Sequence, residues 1–303
     1  MRTDRIGFIG LGNMGGRMTR RLVGAGIAVL GYDVVDARAG AAGARAARSV
    51  GEAADYADVV MLSLPDSPVI EAVIEGADGA LAHCRAGQVV IDLSTAAASS
   101  TMRLARLFAA RGAHYLDAGI SGGAAAADKG ALTLMVGGDA AALEAVRWAL
   151  APISAKVVYM GASGAGHTTK TLNNFLNAVS LAASAEVMVA GKKAGLDLHR
   201  LLEVLNSSSG VNFATLNRFP KIVDGDYLEG GLTGRLMTKD VLLYVERARE
   251  LGVASLNAAG PLASFGLGTA LGYGDQISNR VVDAIGDVSG GVRLFEAPRP
   301  DRR

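Results

Sequence analysis

A glycine motif between two short apolar runs constrains the fold of this chain more than any other feature. Residues 6–9 are an apolar run that predicts a strand, and residues 17–23 carry apolar side chains at helical spacing. Between them stands the pattern Gly-x-Gly-x-x-Gly, made by Gly10, Leu11, Gly12, Asn13, Met14 and Gly15. A second apolar run, residues 28–33, predicts another strand and ends in an acidic residue. This order of elements is typical of a dinucleotide-binding βαβ unit.

Each glycine of the motif has its own predicted task. Gly10 allows a tight turn, Gly12 lets the backbone approach a pyrophosphate, and Gly15 lets the helix pack closely on the strand. The pyrophosphate then lies on the free N–H groups at the helix N-terminus. A glycine triplet alone is a weak signal in a chain with 40 glycines, but here the flanking elements agree with it.

Asp33 indicates which dinucleotide the unit prefers. It lies eighteen residues after Gly15, where a carboxylate can accept both hydroxyls of an adenosine ribose and repel a 2′-phosphate. We therefore expect NAD as the cofactor. Arg38 is close enough in sequence to leave NADP open, although a solvated helix arginine is the simpler interpretation of that residue.

Size and composition favour a two-domain protein of a reducing compartment. A chain of 303 residues is near the upper size for a single core, and half of its residues are hydrophobic. The net charge of +1, without a basic run among aromatics, argues against nucleic acid as a partner. Cys84 is the only cysteine, so no internal disulfide is expected. The sequence has no secretory signal and no long apolar span, so we expect a cytoplasmic location and no membrane contact.

Further apolar runs alternate with helical patterns and predict a doubly wound sheet. Residues 58–64, 88–93 and 114–118 are apolar along most of their length, as parallel strands covered on both faces require. In such a sheet ligands bind at the carboxyl ends of the strands. The residues expected there, and therefore candidates to contact the cofactor, are Leu64, Pro65, Ser94 and Thr95.

Ser121, Gly122 and Gly123 follow the third of these runs, and residues 130–138 and 156–160 predict two more strands. Successive backbone N–H groups beside a hydroxyl can hold a carboxylate. A glycine turn between two strands explains the same three residues equally well.

The character of the sequence changes near residue 164. Residues 164–194 are apolar-rich without proline, and the remainder reads as helices separated by Gly, Asn and Ser. We therefore predict an α/β Rossmann-type domain over residues 1–163 and an all-α domain over residues 164–292 that begins with a long interdomain helix. A flexible tail is expected over residues 293–303.

The start of the long helix carries the side chains best suited to chemistry. Lys170 and Asn174 are four residues apart and therefore share one helical face. At a domain junction beside a dinucleotide, an ammonium and an amide suit hydride transfer at a carbonyl, with the lysine as acid or base. Spacing alone, however, favours a solvated helix lysine.

Other polar candidates have structural explanations. Lys239 and Asp240 stand at the predicted start of an apolar helix, where Asp240 suits the helix dipole, and a functional role is equally open. His167 lies three residues before Lys170 but has no Ser or Asp partner at a telling spacing. Asp117 stands on a predicted strand, and we expect it to have a structural role. No cluster of His, Cys and carboxylates has metal-ligand spacing, so no metal is expected.

Together these motifs resemble the β-hydroxyacid dehydrogenase family, which includes 3-hydroxyisobutyrate, tartronate semialdehyde, threonate and sulfolactaldehyde enzymes. The resemblance extends from residue 5 to about residue 290. Four motifs match in order and spacing: residues 10–15, residues 117–123, residues 161–174 and the Lys239-Asp240 pair. The match is highly specific for the family and weakly specific for the substrate.

The resemblance implies a role for each matching residue. Lys170 is the catalytic acid or base, with Asn174 beside it. The substrate is bound by Ser121, Gly122, Gly123, Lys170, Asn174 and Asp240, of which the first three hold its carboxylate or an equivalent anionic group. The cofactor site is lined by Leu64, Pro65, Val69, Thr95 and Lys239, in addition to the glycine motif and Asp33. A homodimer or homotetramer built on the all-helical domain is also implied.

Three features depart from the family pattern, and one of them is the alanine run over residues 124–127, which is plainer than in most members. Family members usually have proline where Gly119 stands, which predicts a looser substrate loop in this chain. An aromatic residue is usual shortly before the Lys-Asp pair, where this chain has Gly230, Gly231 and Leu232. Arg235 and Asn212 are near regions that shape the pocket in relatives. Arg235 can bind a second anionic group, although a surface arginine explains it at least as well.

The resulting expectation is an NAD-dependent dehydrogenase that oxidises a small 3-hydroxy acid, such as 3-hydroxyisobutyrate, to its semialdehyde, or catalyses the reverse reduction. One alternative is an NADPH-dependent reductase of glyoxylate, succinic semialdehyde or sulfolactaldehyde. Asp33 argues against it, because relatives that prefer NADPH tend to carry an Asn-Arg pair at this turn. An imine reductase is less expected, since relatives of that kind generally lack the lysine present here as Lys170. The intact pair of Lys170 and Asn174 argues against a non-catalytic nucleotide-binding regulator.

Overall fold

The computed structural model describes residues 4–295. Within it the chain folds as two compact units, one ending at Lys170 and the other beginning at Thr171. This division falls inside one long helix, α8 (Ala165–Lys193). The predicted domain boundary, between residues 163 and 164, lies just before that helix and stays a prediction.

The first unit is built on an eight-stranded sheet with the order β3-β2-β1-β4-β5-β6-β7-β8. Every neighbouring pair is parallel except β6 and β7, which are antiparallel. Because β1 has β2 on one side and β4 on the other, the strand order reverses there, which is where such sheets bind ligands. The strands are β1 (Arg5–Ile9), β2 (Ala28–Tyr32), β3 (Arg45–Ala46), β4 (Val59–Leu62), β5 (Val89–Asp92), β6 (His114–Ser121), β7 (Leu132–Gly137) and β8 (Ser154–Gly161).

Seven helices precede α8 in this unit and connect the strands. They are α1 (Asn13–Gly24), α2 (Ala37–Ala41), α3 (Val50–Tyr56), α4 (Ser67–Glu75), α5 (Ala98–Ala109), α6 (Gly123–Lys129) and α7 (Ala140–Leu150). Side chains on the two faces of the sheet enter different apolar clusters. Phe8 packs with Met18 of α1, for example, whereas its neighbour Ile9 packs with Phe108 of α5. Side chains alternate between the two faces of the sheet, and helices cover both faces. The predicted doubly wound architecture is therefore confirmed.

Two details of this unit differ from the sequence prediction. The Ala-rich pattern of residues 36–57 predicts helix with a break near Gly40 and Gly43, whereas the structure has the short strand β3 between α2 and α3. The strand expected over residues 114–118 continues to Ser121 as β6, where Gly119 pairs with Met135 of β7. A paired strand is not a loose loop, so the expectation of a looser segment at Gly119 was wrong.

As far as residue 295, the second unit contains the greater part of α8 and six further α-helices. They are α9 (Leu198–Asn206), α10 (Phe213–Asn217), α11 (Phe219–Ile222), α12 (Gly234–Glu250), α13 (Ala259–Ala270) and α14 (Val281–Val288). Its core includes Leu181, Met188, Phe219, Val241 and Phe265, all nearly inaccessible to solvent. The prediction of an all-helical second part is confirmed.

Helix α12 begins earlier than the sequence predicted. Thr233 is its N-cap, and the Thr233 hydroxyl accepts from the N–H of Leu236 at 3.3 Å. Lys239 and Asp240 therefore lie in the second turn, not at the start. The helix-dipole explanation for Asp240 was wrong, because the dipole acts mainly within the first turn.

None of the helices described between residues 4 and 295 has both the length and the apolar character needed to cross a lipid bilayer. The predicted tail, residues 293–303, lies outside the described residues from Glu296 onward. Of its described part, Leu294 is buried and Arg293 forms an ion pair with Asp287.

Candidate active site

The backbone of the glycine loop excludes side chains at two of its three motif glycines. At Gly10 the φ angle is +88°, and a Cβ atom would lie 2.3 Å from the carbonyl oxygen of Ser63. At Gly15 a Cβ atom would lie 1.9 Å from the carbonyl oxygen of Gly10. At Gly12, by contrast, an added Cβ meets no atom within 4 Å, so the loop is open on that side. The space around each glycine fits the task predicted for it.

The N-terminus of α1 has the chemistry that a pyrophosphate requires. Its N-cap, Gly12, offers no side chain to the first N–H groups, and the first turn contains no acidic residue. The positive end of the helix dipole therefore faces the glycine loop, and no acidic side chain of the first turn neutralises it. Of the other loop residues, Leu11 is buried, Met14 is partly buried, and Asn13 is exposed with its Oδ1 accepting from Arg17 at 3.2 Å.

Asp33 follows β2 and lies against the glycine loop. One carboxylate oxygen accepts from the N–H of Leu11 at 2.7 Å and the other from the N–H of Val35 at 2.9 Å. Arg38, an exposed residue of α2, also donates to this carboxylate at 3.1 Å, so the helix charge that the sequence favoured has a partner as well as solvent. A carboxylate has about four acceptor positions, so Asp33 retains capacity for a ribose hydroxyl.

The residues predicted to follow β4 and β5 lie close together, because these strands pair in parallel. The N–H of Leu64 donates to the hydroxyl of Ser94 at 2.9 Å. Pro65 is exposed, Thr95 is partly exposed, and Val69 in the first turn of α4 is 36% exposed. All three are accessible to a ligand at the carboxyl edge of the sheet.

The turn after β6 needs glycine for its own geometry. Gly122 and Gly123 have φ angles of +123° and +67°, in the left-handed region that favours glycine. Both are exposed, and Ser121 before them is partly exposed. The turn thus explains the two glycines structurally, as one interpretation of the sequence held. Its accessible hydroxyl and N–H groups also suit an anionic group.

The buried carboxylate of Asp117 holds the beginning of α8. Its two oxygens accept from the N–H groups of Gly164 and His167, each at 2.8 Å. An anion at this position is stabilised by the helix dipole as well as by the two hydrogen bonds. The structural role assigned to Asp117 agrees with this geometry.

The ring of His167 is enclosed in the first unit and is 0% exposed. Its Nδ1 lies 2.8 Å from the hydroxyl of Thr101, and its Nε2 lies 3.3 Å from the carbonyl oxygen of Asp92. Its ring is inaccessible to solvent and hydrogen-bonded to Thr101 and to the backbone of Asp92. His167 is therefore poorly placed to exchange protons with a substrate.

Asp92 and Tyr115 form a buried pair that the sequence did not single out. The Tyr115 hydroxyl donates to Asp92 at 2.7 Å, and the same carboxylate accepts from the N–H of Ser94 at 3.0 Å. Burial, with the nearby carboxylate, raises the pKa of Tyr115 well above its usual value, so the hydroxyl remains a donor. The pair thereby fixes the position of the segment that contains Ser94 and Thr95. An acid at the end of an apolar strand was the signal available in the sequence.

Lys170 lies on the second turn of α8 with its side chain partly exposed. Gly119 of β6 lies against it, since a Cβ added to Gly119 would lie 2.5 Å from the Cβ of Lys170. Because side chains alternate along a strand, Asp117, Gly119 and Ser121 share the face of β6 that is turned toward α8. The Ser121 side chain therefore points to the same side of the sheet as Lys170.

In the second unit, three predicted residues are in contact with one another. Asn174 and Asp240 are both nearly inaccessible to solvent, and the amide nitrogen of Asn174 donates to Asp240 at 2.5 Å. The ammonium of Lys239 lies 2.9 Å from the other carboxylate oxygen. The amide oxygen of Asn174 accepts from Asn173 at 3.3 Å. Both ends of the Asn174 amide are thus fixed within this unit.

Two residues flagged for pocket shape have structural partners. Arg235 forms an exposed ion pair with Asp275 at 3.0 Å, as the surface interpretation expected. Asn212 caps α10 by accepting from the N–H groups of Ala214 and Thr215. Over residues 4–295, no group of three or more His, Cys, Asp or Glu side chains is placed to hold a metal ion.

Two family models together match most of the chain. Residues 5–161 match the NAD binding domain of 6-phosphogluconate dehydrogenase. Residues 164–282 match the model described as NAD-binding of NADP-dependent 3-hydroxyisobutyrate dehydrogenase. The two matches meet close to the predicted domain boundary.

Individual relatives resemble the chain over nearly its whole length. It is 35% identical to 2-(hydroxymethyl)glutarate dehydrogenase of Eubacterium barkeri, over 92% of this chain and 93% of the relative. It is 39% identical to NAD-dependent L-serine dehydrogenase of Pseudomonas aeruginosa, over 86% of this chain and 89% of the relative. A solved structure of Mycobacterium tuberculosis 3-hydroxyisobutyrate dehydrogenase with L-serine superposes with a TM-score of 0.85 at 31% identity, covering 93% of this chain and 99% of that one. The chain therefore belongs to the β-hydroxyacid dehydrogenase family.

Proposed function

We propose that this protein is an NAD-dependent oxidoreductase that converts a small 3-hydroxy acid into its semialdehyde and catalyses the reverse reduction at the same site. The relatives named above are dehydrogenases of hydroxy acids, which supports this reaction class. The observation that carries the proposal is the placement of Lys170 on the side of β6 to which Ser121 points. A proton-transfer group and an anion-binding turn are then presented on one face of the sheet.

The reaction divides between a hydride and a proton. In oxidation, the carbon that bears the hydroxyl loses a hydride and the hydroxyl loses a proton. Bound NAD supplies the hydride acceptor. Lys170 in its neutral form accepts the hydroxyl proton, and in reduction its ammonium returns a proton to the oxygen.

The remaining residues orient the reactants. The hydroxyl of Ser121 and the N–H groups of Gly122 and Gly123 bind the substrate carboxylate. Asn174, which Asp240 holds in one orientation, donates to or positions the substrate oxygen. Fixing the reacting groups in this way reduces the entropy cost of reaching the transition state.

NAD is the preferred cofactor in this proposal, because the carboxylate of Asp33 repels a 2′-phosphate. The second candidate function is an NADPH-dependent semialdehyde reductase, which one observation favours. Arg38 contacts Asp33 at 3.1 Å and is 46% exposed, so its guanidinium can turn toward a phosphate.

The test is a set of initial rates for reduction of NAD and NADP with 3-hydroxyisobutyrate, L-serine, 2-(hydroxymethyl)glutarate and 4-hydroxybutyrate. We expect one acid to be preferred, with NAD. Lys170→Met should lower kcat about 10²–10⁴-fold, the usual contribution of a general base, with NAD affinity unchanged. Lys221→Met, at an exposed lysine of α11, is the matched control and should leave the rates unchanged. Turnover by Lys170→Met equal to that of the natural protein would contradict the assignment.

The cofactor choice is tested with Arg38→Ala in the same assay. Its kcat/KM with NADP should fall about tenfold or more relative to NAD, since a hydrogen bond to a charged group contributes about 1.5–3 kcal/mol. An unchanged ratio of the two cofactors would exclude Arg38 as the phosphate ligand.

Assembly and location complete the proposal. Exposed apolar side chains on helices of the second unit support a homodimer or homotetramer, notably Leu176, Val204 and Phe213 at 65%, 60% and 59% exposure. Light scattering that returns the mass of a single chain would contradict this assembly. The single cysteine supports a cytoplasmic location.

A further inference from the structure

Arg218 is a mostly buried cation whose hydrogen-bond partners are neutral amides. It stands between α10 and α11 and is only partly exposed. Its Nη1 donates to the amide oxygen of Asn279 at 2.7 Å, and its Nη2 donates to the amide oxygen of Asn177 at 3.0 Å. The guanidinium carbon lies 5.7 Å from the ring centroid of Phe213. Within residues 4–295, no carboxylate forms an ion pair with this side chain.

The hydrogen bonds of Arg218 explain its position but not its charge. They join α8, the junction of α10 and α11, and the short 3₁₀ turn Ser278–Arg280. A neutral donor can make the same bonds to amide oxygens without the cost of placing a charge away from water. Burial lowers the pKa of Arg218 to about 10, so the guanidinium is still charged at neutral pH. A buried cation is costly without a counter-charge, and a bound anion can supply one.

Other arginines of the second unit have counter-charges within the protein. Arg280 lies 3.0 Å from a carboxylate oxygen of Asp283. Arg235, which the sequence offered as the ligand of a second anionic group, is paired with Asp275 at the same distance. Arg218 is therefore better suited than Arg235 to bind an anion.

The guanidinium of Arg218 is bound one helical turn beyond the residue proposed to orient the reacting oxygen. Its partner Asn177 follows Asn174 by three residues on α8, so the two amides share one face of the helix. Three residues correspond to about 4.5 Å along the helix axis. A short carbon chain spans this distance, so a substrate oriented by Asn174 can present a second anionic group to Arg218.

We propose that Arg218, held by Asn177 and Asn279, binds a second, distal carboxylate of the substrate, so that the protein prefers dicarboxylic 3-hydroxy acids to monocarboxylic ones. A planar guanidinium binds a carboxylate through two parallel hydrogen bonds. The two asparagines hold the guanidinium in one orientation for this contact. The inference rests on the proposed function, because it adds a substrate class to the same reaction.

The first test uses the natural protein and two forms of one acid. In 2-(hydroxymethyl)glutarate, the methyl group of 3-hydroxyisobutyrate is replaced by a two-carbon arm that ends in a second carboxylate. The amide of that distal carboxylate keeps the arm and removes its charge. We expect kcat/KM to be at least about tenfold higher for the diacid than for its distal amide, mainly through KM. Equal values for the two compounds would overturn the proposal, whether or not any variant folds.

The second test removes the charge with Arg218→Met, which keeps the length of the side chain. The kcat/KM for the diacid should fall about 10- to 100-fold, the usual loss of a hydrogen bond to a charged group, and Arg218→Lys should recover part of it. The kcat/KM for 3-hydroxyisobutyrate should change little. Arg200→Met, at an exposed arginine of α9, is the matched control and should leave both values unchanged. A parallel loss with both acids in Arg218→Met would indicate a structural arginine and overturn the proposal.

The third test supplies a counter-charge from within the protein. Asn177→Asp places a carboxylate where an amide oxygen accepts from Arg218 at 3.0 Å. The new ion pair should raise Tm, and it should lower kcat/KM for the diacid at least about tenfold, because the new carboxylate repels the distal one and competes for the guanidinium. Asn257→Asp, at an exposed asparagine just before α13, is the control for added charge and should do neither. A higher Tm with an unchanged preference for the diacid would refute the proposal.

These measurements distinguish failure of the inference from failure of the proposed function. If the natural protein oxidises no hydroxy acid with either cofactor, the proposed function fails and the inference falls with it. If the protein oxidises 3-hydroxyisobutyrate and Lys170→Met abolishes this, the lack of a preference for the diacid refutes only the role of Arg218.

Discussion

Among single residues, His83 links two parts of the first unit through its charge. Its Nδ1 lies 2.9 Å from a carboxylate oxygen of Asp55 on α3, and its Nε2 lies 2.7 Å from Asp78, which follows α4. The hydrogen bond to Asp55, together with the charges of both carboxylates, raises the pKa of His83. Protonation of His83 therefore stabilises the folded state relative to the unfolded state.

The sign of this effect gives a pH-dependent prediction. Because the folded pKa is raised, the stabilisation is complete below the unfolded value of about 6.5 and is lost as the pH rises through the folded pKa. His83→Gln should lower Tm by roughly 1–3 °C at pH 6, the range for a partly exposed ion pair, and by less at pH 9. Scanning calorimetry at both pH values measures it. With Asp55→Asn and Asp78→Asn already present, the pH-dependent difference should vanish.

At the same scale, sequence reasoning finds residues whose chemistry is local and misses those whose role depends on distant contacts. Gly10 and Gly15 were assigned correctly to a tight turn and to close packing, because both requirements arise within one βαβ unit. The close approach of Lys170 to Gly119 gave no such signal, because the two residues are far apart along the chain. The ion pair of Arg38 with Asp33 was not predicted although the two residues are close in sequence, because it depends on the turn between β2 and α2.

At the scale of secondary structure, the position of α8 depends on Asp117. Its buried carboxylate accepts two N–H groups at 2.8 Å, whereas an asparagine can offer only one oxygen and places an NH₂ group against the other N–H. Asp117→Asn should lower the free energy of unfolding by about 2–3 kcal/mol, the value of a buried charged hydrogen bond, as measured by chemical denaturation.

The exposed cap of α7 provides the comparison for this variant. Asp139 accepts from the N–H of Ala142 at 2.7 Å through one oxygen. Asn and Asp are nearly equivalent at exposed N-caps, so Asp139→Asn should change stability little. If the two variants lose equal stability, the second hydrogen bond and the burial of Asp117 contribute nothing.

Element boundaries were predicted well where the apolar periodicity extends over many residues. They were predicted poorly where tertiary contacts determine the boundary. The helix expected over residues 164–194 is α8, because its apolar pattern extends over many turns. β3 was missed, since two residues carry no period. The charge pair at Lys239 and Asp240 predicts a start for α12 that is too late, because the helix begins directly after the threonine cap at Thr233. The antiparallel pairing of β6 and β7 also has no signature in composition.

At the scale of the whole molecule, the two units have separate apolar cores, and ligand binding should stabilise them unequally. Of the residues predicted to bind the cofactor, all but Lys239 belong to the first unit. Ligand at a hundred times its Kd stabilises the folded state by about 2.7 kcal/mol, which for a unit of this size corresponds to roughly 5–10 °C in Tm.

The only tryptophan allows the two units to be followed separately. Trp148, on α7, packs against the apolar core of the first unit, whereas much of the helical circular dichroism signal comes from the second. NAD should therefore raise the Tm measured by Trp148 fluorescence by roughly 5–10 °C. The Tm measured from the loss of helical circular dichroism signal should rise by less. Melting curves from both probes, with and without NAD, measure this difference. If the two curves coincide and shift equally, the units unfold as one, because a stabilisation gained in the first is then transmitted in full to the second.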